Sequence, residues 1–120
     1  MHKVEFISLE ENDKDLIVSF AIEDPWLGVK SLILHRTLFF EEFLDEEERG
    51  VRVSMEGVTV EQEQLNVLKQ INIKPGEIEI ASVFNKYRID ISHIEAQEIK
   101  EMVSLLRKQN YDNRFTIQVA

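Results

Sequence analysis

The sequence contains no cysteine, only four glycines and two prolines, and no long apolar run. Without cysteine, a disulfide scaffold, a thiolate metal site and a cysteine nucleophile are excluded, and a reducing compartment is compatible with the composition. No apolar run approaches the roughly 20 residues that a membrane span needs. Charges within the first six residues leave no apolar segment typical of a signal peptide. These absences predict a soluble, cytoplasmic protein.

The size and composition of the chain predict one folded domain. The 120 residues are 43% hydrophobic and 31% charged, which is typical of globular chains. Domains most often comprise roughly 100–150 residues. No linker-like stretch or internal repeat divides the sequence, so we predict a single domain over residues 1–120.

Alternating apolar residues and β-forming composition predict strands over most of the chain. The segments that carry these patterns before position 57 are 3–10, 16–22, 29–35, 37–44 and 51–56. Gly50, just before the last of them, suits a positive φ. Residues 58–69 leave helix, strand and loop open. Farther on, Pro75 and Gly76 occupy the second and third positions of a type II turn in a hairpin, and a second hairpin is expected about Asn85.

The clearest predicted element is a helix at about 93–109. Ser92 and Glu95 fit a capping box at its start. Its apolar stripe follows the helical spacing at Ile99, Met102, Val103 and Leu106. Alternating apolar residues at 115, 117 and 119 predict a final strand. The fold class is therefore predicted to be α+β: an antiparallel sheet of about six to eight strands in hairpins, with one helix on one face.

Acidic residues are concentrated in one part of the chain. Residues 41–63 hold nine acidic and two basic side chains, a local charge of −7 within a total of −9. Such a field repels nucleic acid and anionic membrane and attracts a basic protein. Two interpretations remain open, a solvated face that keeps the chain soluble and a surface that binds a partner.

The residues that suggest chemistry are few. The histidines are His2, His35 and His93, and no two have the spacing of a helical metal site. His35 is expected to be a polar residue at a strand end. The four glycines are isolated and form no phosphate loop, and consecutive acids do not fit the alternating ligands of an EF-hand. We therefore predict that the chain is not an enzyme and needs no cofactor or metal.

A partner-binding surface is the functional candidate that the composition favours. Trp26 is either an interface anchor, since Trp is enriched in hot spots, or a cover for the end of the sheet. The predicted partner-binding residues are Glu41, Glu42, Asp45, Glu46, Glu47, Glu48, Glu56 and Trp26.

From position 24 onward the order of motifs resembles the Immunity protein 10-like family of bacterial polymorphic toxin systems. The motifs that carry the resemblance are the strand at 29–38 with its His35-Arg36 dipeptide, the acidic segment 45–50, the strand 51–56, the hairpin 71–80, and the strand and helix at 88–107. One departure is Glu61-Gln-Glu-Gln64, where the family tends to be Gly-rich. The resemblance implies a non-enzymatic inhibitor that neutralises a cognate toxin, and it supplies no catalytic residues.

Two other classes of function remain open from the sequence. One is a structural or assembly subunit, a homodimer that uses a sheet edge or the apolar cluster at 38–40 and 43–44. The other is a small-molecule-binding domain, which would need a pocket with converging polar groups.

Overall fold

The computed structural model describes all 120 residues as one eight-stranded sheet and one α-helix. The strands are β1 (His2–Glu11), β2 (Asp15–Asp24), β3 (Gly28–Thr37), β4 (Arg52–Met55), β5 (Leu68–Lys74), β6 (Glu77–Ser82), β7 (Lys86–Asp90) and β8 (Thr116–Val119). The helix is α1 (Ala96–Gln109), and three single-turn 3₁₀ helices lie at Glu41–Phe43, Glu46–Glu48 and Glu63–Leu65. The predicted α+β class is confirmed, with the helix on the sheet and a strand after it.

The strand order is β4-β3-β2-β1-β7-β6-β5-β8. Consecutive strands in hairpins pair antiparallel, whereas β1 with β7 and β5 with β8 pair parallel. The β1–β7 pairing is short and joins His2 and Lys3 to Ile89 and Asp90. An isolated antiparallel bridge also links Arg52 of β4 to the residue before β5. The half of the sheet formed by β1–β4 therefore meets the half formed by β5–β8 at two places, the β1–β7 pairing and the bridge from β4 to the start of β5. The sheet is accordingly curled.

The core lies between the curled sheet and α1. Strands alternate inward apolar and outward polar side chains, because successive residues of a strand face opposite sides. Val18, Phe20 and Ile22 of β2 are fully buried, as are Met102 and Leu106 of α1. Each such side chain stabilises the fold by about 1.5–3 kcal/mol relative to an exposed position.

The helix begins at Ala96, three residues later than predicted, and the capping box does not form. The Asp90 carboxylate accepts the Ser92 N–H at 2.8 Å, which holds Ser92 in a turn before the helix. Glu95 becomes the N-cap residue without a side-chain bond. Helix α1 buries Met102 and Leu106 as predicted and Leu105 in addition, whereas Ile99 and Val103 are only partly buried.

Connections differ from the sequence predictions at one point. The extended continuation predicted for 37–44 is wrong, because β3 ends at Thr37 and a 3₁₀ turn begins at Glu41. The turn before β6 has Gly76 at φ 78°, and Gly50 lies at φ 119°, the positive values expected for both glycines. Residues 58–69 form turns, a 3₁₀ helix and the start of β5. None of the helices has the length and apolar character needed to cross a membrane.

Candidate functional site

The acidic residues at 41–48 lie in the connection from β3 to β4. We call residues 38–48 the aromatic–acidic loop. The loop starts where the Leu38 N–H donates to the Lys14 carbonyl at 2.7 Å. Each of its two 3₁₀ turns is closed by two backbone bonds. In the first turn the N–H groups of Phe43 and Leu44 donate to the carbonyls of Phe40 and Glu41, and in the second those of Glu48 and Arg49 donate to the carbonyls of Asp45 and Glu46. The loop is thus built from local turns rather than from strand pairing.

Arg36, the next-to-last residue of β3, lies beneath this loop with no exposed surface. Its alternation with Leu32 and Leu34 points its guanidinium into the protein. Nε donates to Glu41 at 2.9 Å and Nη2 donates to the same carboxylate. Two further bonds of 2.8 and 3.0 Å reach Asp112, and Nη1 donates to the Gln109 carbonyl at 2.8 Å. All five N–H groups are satisfied, as a buried guanidinium requires.

The Arg36 contacts join three separate parts of the chain. The guanidinium carbon lies 4.1 Å from the centre of the Tyr111 ring, a cation–π geometry. Asp112 also accepts a bond of 2.6 Å from Arg114, whose Nη2 donates to Glu46 at 2.8 Å. Alternating charges therefore run from the loop through the turn after α1 and back to the loop. The loop is held at Glu41 and again at Glu46.

The end of α1 is fixed to the same region by Gln109, whose side chain is fully buried. Its Nε2 donates to the carbonyls of Leu16 and Leu34 at 2.9 and 3.0 Å. These carbonyls belong to β2 and β3. The turn that supplies Tyr111 and Asp112 thus starts from a helix end that is bonded to the strands leading into the loop.

The pKa of Asp112 is lowered to about 2, chiefly because Arg36 donates hydrogen bonds to its carboxylate, with Arg114 adding to the effect. Burial lowers the pKa of Arg36, but the hydrogen bonds to Asp112 and Glu41 outweigh that effect and raise it overall. The pKa of Tyr111 is raised, first by burial. Arg36 and Asp112 are therefore both charged near neutral pH.

Most of the other acids in the loop face solvent. Glu42, Asp45 and Glu47 are exposed and form no ion pair. Glu48 is partly buried and also unpaired, whereas Glu46 pairs with Arg114 and lies 3.9 Å from Arg49. The carboxylate of Glu41 is committed to Arg36 and is buried, so it supports the loop from below rather than facing outward.

Three phenylalanines stand exposed in the same loop. Phe39, Phe40 and Phe43 have 55%, 58% and 77% of their surface exposed, values far above those of core residues. The rings of Phe39 and Phe40 meet edge to face with centroids 4.6 Å apart, and the Lys14 ammonium lies 5.7 Å from the Phe39 centroid. Exposed aromatic clusters rimmed by charge often mark protein interfaces.

A shallow cleft of about 390 Å³ adjoins the other flank of the loop. Glu46 and Glu47 line one side, and Val83 and Phe84 of the β6–β7 turn line the other, each nearly half exposed. Lys69 is among the basic residues that border it. The acidic residues therefore stand between two apolar surfaces.

Trp26 and Glu56 lie elsewhere. Trp26, in the β2–β3 turn, has 91% of its surface exposed and does not cover the end of the sheet. The β2–β3 ladder runs from Asp24 to Asp15, which separates Trp26 from the loop by about 30 Å at strand spacing. The Glu56 carboxylate accepts the Ser31 N–H at 3.0 Å, so Glu56 lies beside the half of β3 that is nearer to Trp26. The eight predicted residues thus do not form one surface.

His35 lies on the outward face of β3, as expected for a polar residue near a strand end. Its Nε2 is 2.7 Å from the Asp15 carboxylate on β2. No cluster of three or more His, Cys, Asp or Glu side chains is arranged to hold a metal ion.

Arg36 and the three phenylalanines were not among the predicted binding residues. The signal for Arg36 is its register: it takes the inward position after Leu32 and Leu34, where an apolar residue is expected. From the sequence, the apolar cluster at 38–40 and 43–44 is expected only as a surface for self-association. Its proximity to the acids becomes visible once the 3₁₀ turns place both on one loop.

Comparison of the chain with protein-family models, with curated proteins and with solved structures gives no match. The resemblance to the Immunity protein 10-like family therefore rests on the order of sequence motifs.

Arg36→Ala should lower the free energy of unfolding by about 3–5 kcal/mol, because Glu41 would be left buried without its partner. Denaturant unfolding followed by circular dichroism measures the change. Arg88→Ala is the control, since Arg88 is exposed and pairs with Glu77 on the sheet surface. A loss no larger than that of the control would contradict the role given to Arg36.

Stability should fall with acid between about pH 4 and pH 2. The folded pKa of Asp112 is about 2, below the ordinary value of 3.8, so in this window the unfolded chain binds a proton that the folded chain does not. The stabilisation is complete above pH 4 and is lost as the pH falls toward 2. Asp112→Asn should make the stability curve shallower in this window, and an unchanged slope would count against the contact.

Proposed function

We propose that the chain is a non-enzymatic, immunity-type inhibitor that binds a basic cognate toxin through the aromatic–acidic loop. The observation that carries the proposal is the exposure of Phe39, Phe40 and Phe43 beside unpaired acids on a loop fixed from below. The family resemblance supplies the class of partner. The exposed phenylalanines and acids of the loop are the residues that we propose contact it.

The composition of the loop matches what protein interfaces use. An interface has an apolar centre that excludes water and a polar rim, with aromatic anchors carrying much of the energy. Phe39, Phe40 and Phe43 provide the apolar centre, and Glu42, with other exposed acids of the loop, provides the rim. Toxins that act on nucleic acid are often basic at their active cleft, so an acidic surface of this kind suits the occlusion of such a cleft.

The anchoring of the loop also favours a binding role. Ordering a mobile loop at an interface lowers affinity, and a loop that is already ordered avoids that cost. Bonds from Arg36 to Glu41 and from Arg114 to Glu46 hold the loop before any partner arrives. The remaining carboxylates of the loop form no ion pair and are available to steer a basic partner.

A second candidate is a homodimeric assembly subunit, and the same phenylalanines favour it. Two copies that meet through Phe40 and Phe43 would bury apolar surface. They would also bring two sets of acids together, which opposes the contact at low ionic strength. Light scattering across a concentration series distinguishes the two, since the toxin-binding proposal expects a monomer.

The proposal predicts that Glu42→Lys/Asp45→Lys/Glu47→Lys slows association with the basic partner by about tenfold to a hundredfold at low salt, because steering is lost. The partner is first captured from the native cell with the unmodified chain and identified by mass spectrometry. Surface plasmon resonance then measures the association rate at several salt concentrations. The difference should shrink as salt screens the charges.

The matched control is Glu5→Lys/Glu10→Lys/Glu95→Lys, which changes the net charge equally at exposed acids outside the loop. It should slow association much less. Equal rates for the two triple variants, or retention of the same proteins by both in the capture experiment, would contradict the proposal.

Phe43→Ser should act on dissociation instead. Removing a central aromatic anchor should speed dissociation by about tenfold or more, with little change in the association rate. Phe6→Ser, a change at another half-exposed phenylalanine on β1, serves as the control. Protection of cells that express the captured toxin should be lost with Phe43→Ser and kept with Phe6→Ser. The reverse result would place the interface elsewhere.

A further inference from the structure

An open groove runs between α1 and the edge strand β8, and we call it the helix–edge groove. One stretch of about 490 Å³ lies beside Arg107, Asn110 and Phe115. A second stretch of about 500 Å³ lies beside Ile99 and Val119, at the other end of the helix. Chain direction reverses between α1 and β8, so the two stretches follow one another along the same pair of elements.

The outer edge of β8 offers unpaired main-chain groups. Strand β8 is the last in the sheet and pairs only with β5. The Ala120 N–H donates to the Ile73 carbonyl at 2.8 Å. Because a strand directs alternate residues to opposite neighbours, the N–H and C=O of Ile117 and Val119 face the open side. An exposed edge of this kind is a template for an added strand.

Apolar side chains line the groove without being fully buried. Ile94, Ile99 and Ile117 line it and pack against the core but remain partly exposed, and Val103 of α1 is also only partly buried. Val119 has 52% of its surface exposed. Ile99 and Val103 belong to the predicted buried stripe of α1, and their partial exposure marks the side of the helix that the sheet leaves uncovered.

The charge of the groove is opposite to that of the chain. No acidic side chain lines either stretch, although the chain holds 23 acidic residues. Lys100 and Arg107 stand exposed on the helix rim and form no ion pair, whereas nearby Lys74 is paired with Glu79. The two free cations are seven residues apart, or about 10 Å along the helix axis.

The geometry points to a peptide-binding site in which an extended, acidic segment of a partner protein adds to β8 as a ninth strand. Its backbone bonds to Ile117 and Val119, its alternating aliphatic side chains enter the groove, and two acidic side chains on the same face of the added strand meet Lys100 and Arg107. Strand addition to an exposed edge beside a groove is an established mode of peptide recognition. This site is independent of the aromatic–acidic loop and of the proposed toxin.

A second copy of the chain fits the groove less well. Two copies joined edge to edge by a two-fold axis would each place the same residues at the contact. Lys100 and Arg107 of one copy would then lie close to the same two cations of the other copy. The repulsion between these like charges opposes association. An acidic segment instead neutralises both cations.

The test uses a labelled nonapeptide, Val-Thr-Glu-Thr-Val-Thr-Glu-Thr-Val with blocked ends, and its twin with lysine in place of both glutamates. The two glutamates share one face with the valines and lie about 13 Å apart at strand spacing. We expect saturable binding of the acidic peptide in fluorescence anisotropy and binding about tenfold weaker for the twin. Amide resonances of Ile99, Val103, Ile117 and Val119 should shift on titration. No binding at millimolar peptide, or shifts confined to the aromatic–acidic loop, would overturn the proposal.

Charge reversal tests the rim. Lys100→Glu/Arg107→Glu should weaken binding of the acidic peptide about tenfold. Lys69→Glu/Lys86→Glu, at exposed lysines outside the groove that form no ion pair, changes the net charge by the same amount and should have little effect. Equal weakening by both double variants would mean that only net charge matters, which would overturn the site.

Val119→Pro tests the strand edge. Proline is tolerated at an edge strand where the N–H faces solvent, so the chain should fold, but one donor to the peptide is lost. Binding should weaken about five- to tenfold. Val119→Thr keeps the N–H and should bind nearly as the unmodified chain does. Undiminished binding by the folded proline variant, or light scattering that shows β8-dependent dimers, would overturn strand addition.

Discussion

The guanidinium of Arg36 lies buried under the aromatic–acidic loop with every one of its N–H groups bonded. A charge removed from water is costly unless it is paired and hydrogen-bonded in full. Glu41 and Asp112 supply that pairing, and Arg114 offsets the second carboxylate. Glu41 belongs to the loop and Asp112 to the turn after α1. Because both bond to the one guanidinium of Arg36, that guanidinium fixes the position of the two segments relative to each other.

That arrangement explains how apolar side chains come to stand in solvent. A chain that followed burial alone would turn Phe39, Phe40 and Phe43 inward, yet the two bonds to Glu41 direct the loop into a 3₁₀ turn just after Phe40. The rings and the unpaired acids then share one surface. The helix–edge groove, between α1 and β8, has the opposite charge, so the two surfaces suit partners of opposite chemistry.

The fold was largely predictable because its strands carry period-two alternation and α1 carries a helical stripe. The sheet order was not, since the parallel β1–β7 and β5–β8 pairings join segments far apart in sequence. The binding surface was predictable only in part. Acidic composition indicated the loop, but the burial of Glu41 and the distance to Trp26 depend on tertiary contacts that no local pattern encodes. The sequence showed Arg36 only as a charged residue at a strand position where an apolar, inward-facing side chain is expected.

The central claim is that the loop anchored by Arg36 is the surface that contacts a basic partner. Site-specific photo-crosslinking from position 43 in the native cell tests it most directly, with position 26 as the second probe site. The account predicts a covalent adduct from position 43 to a protein rich in lysine and arginine, and none to that protein from position 26. An adduct from position 43 only to a second copy of the chain, or an adduct to the basic protein only from position 26, would contradict it.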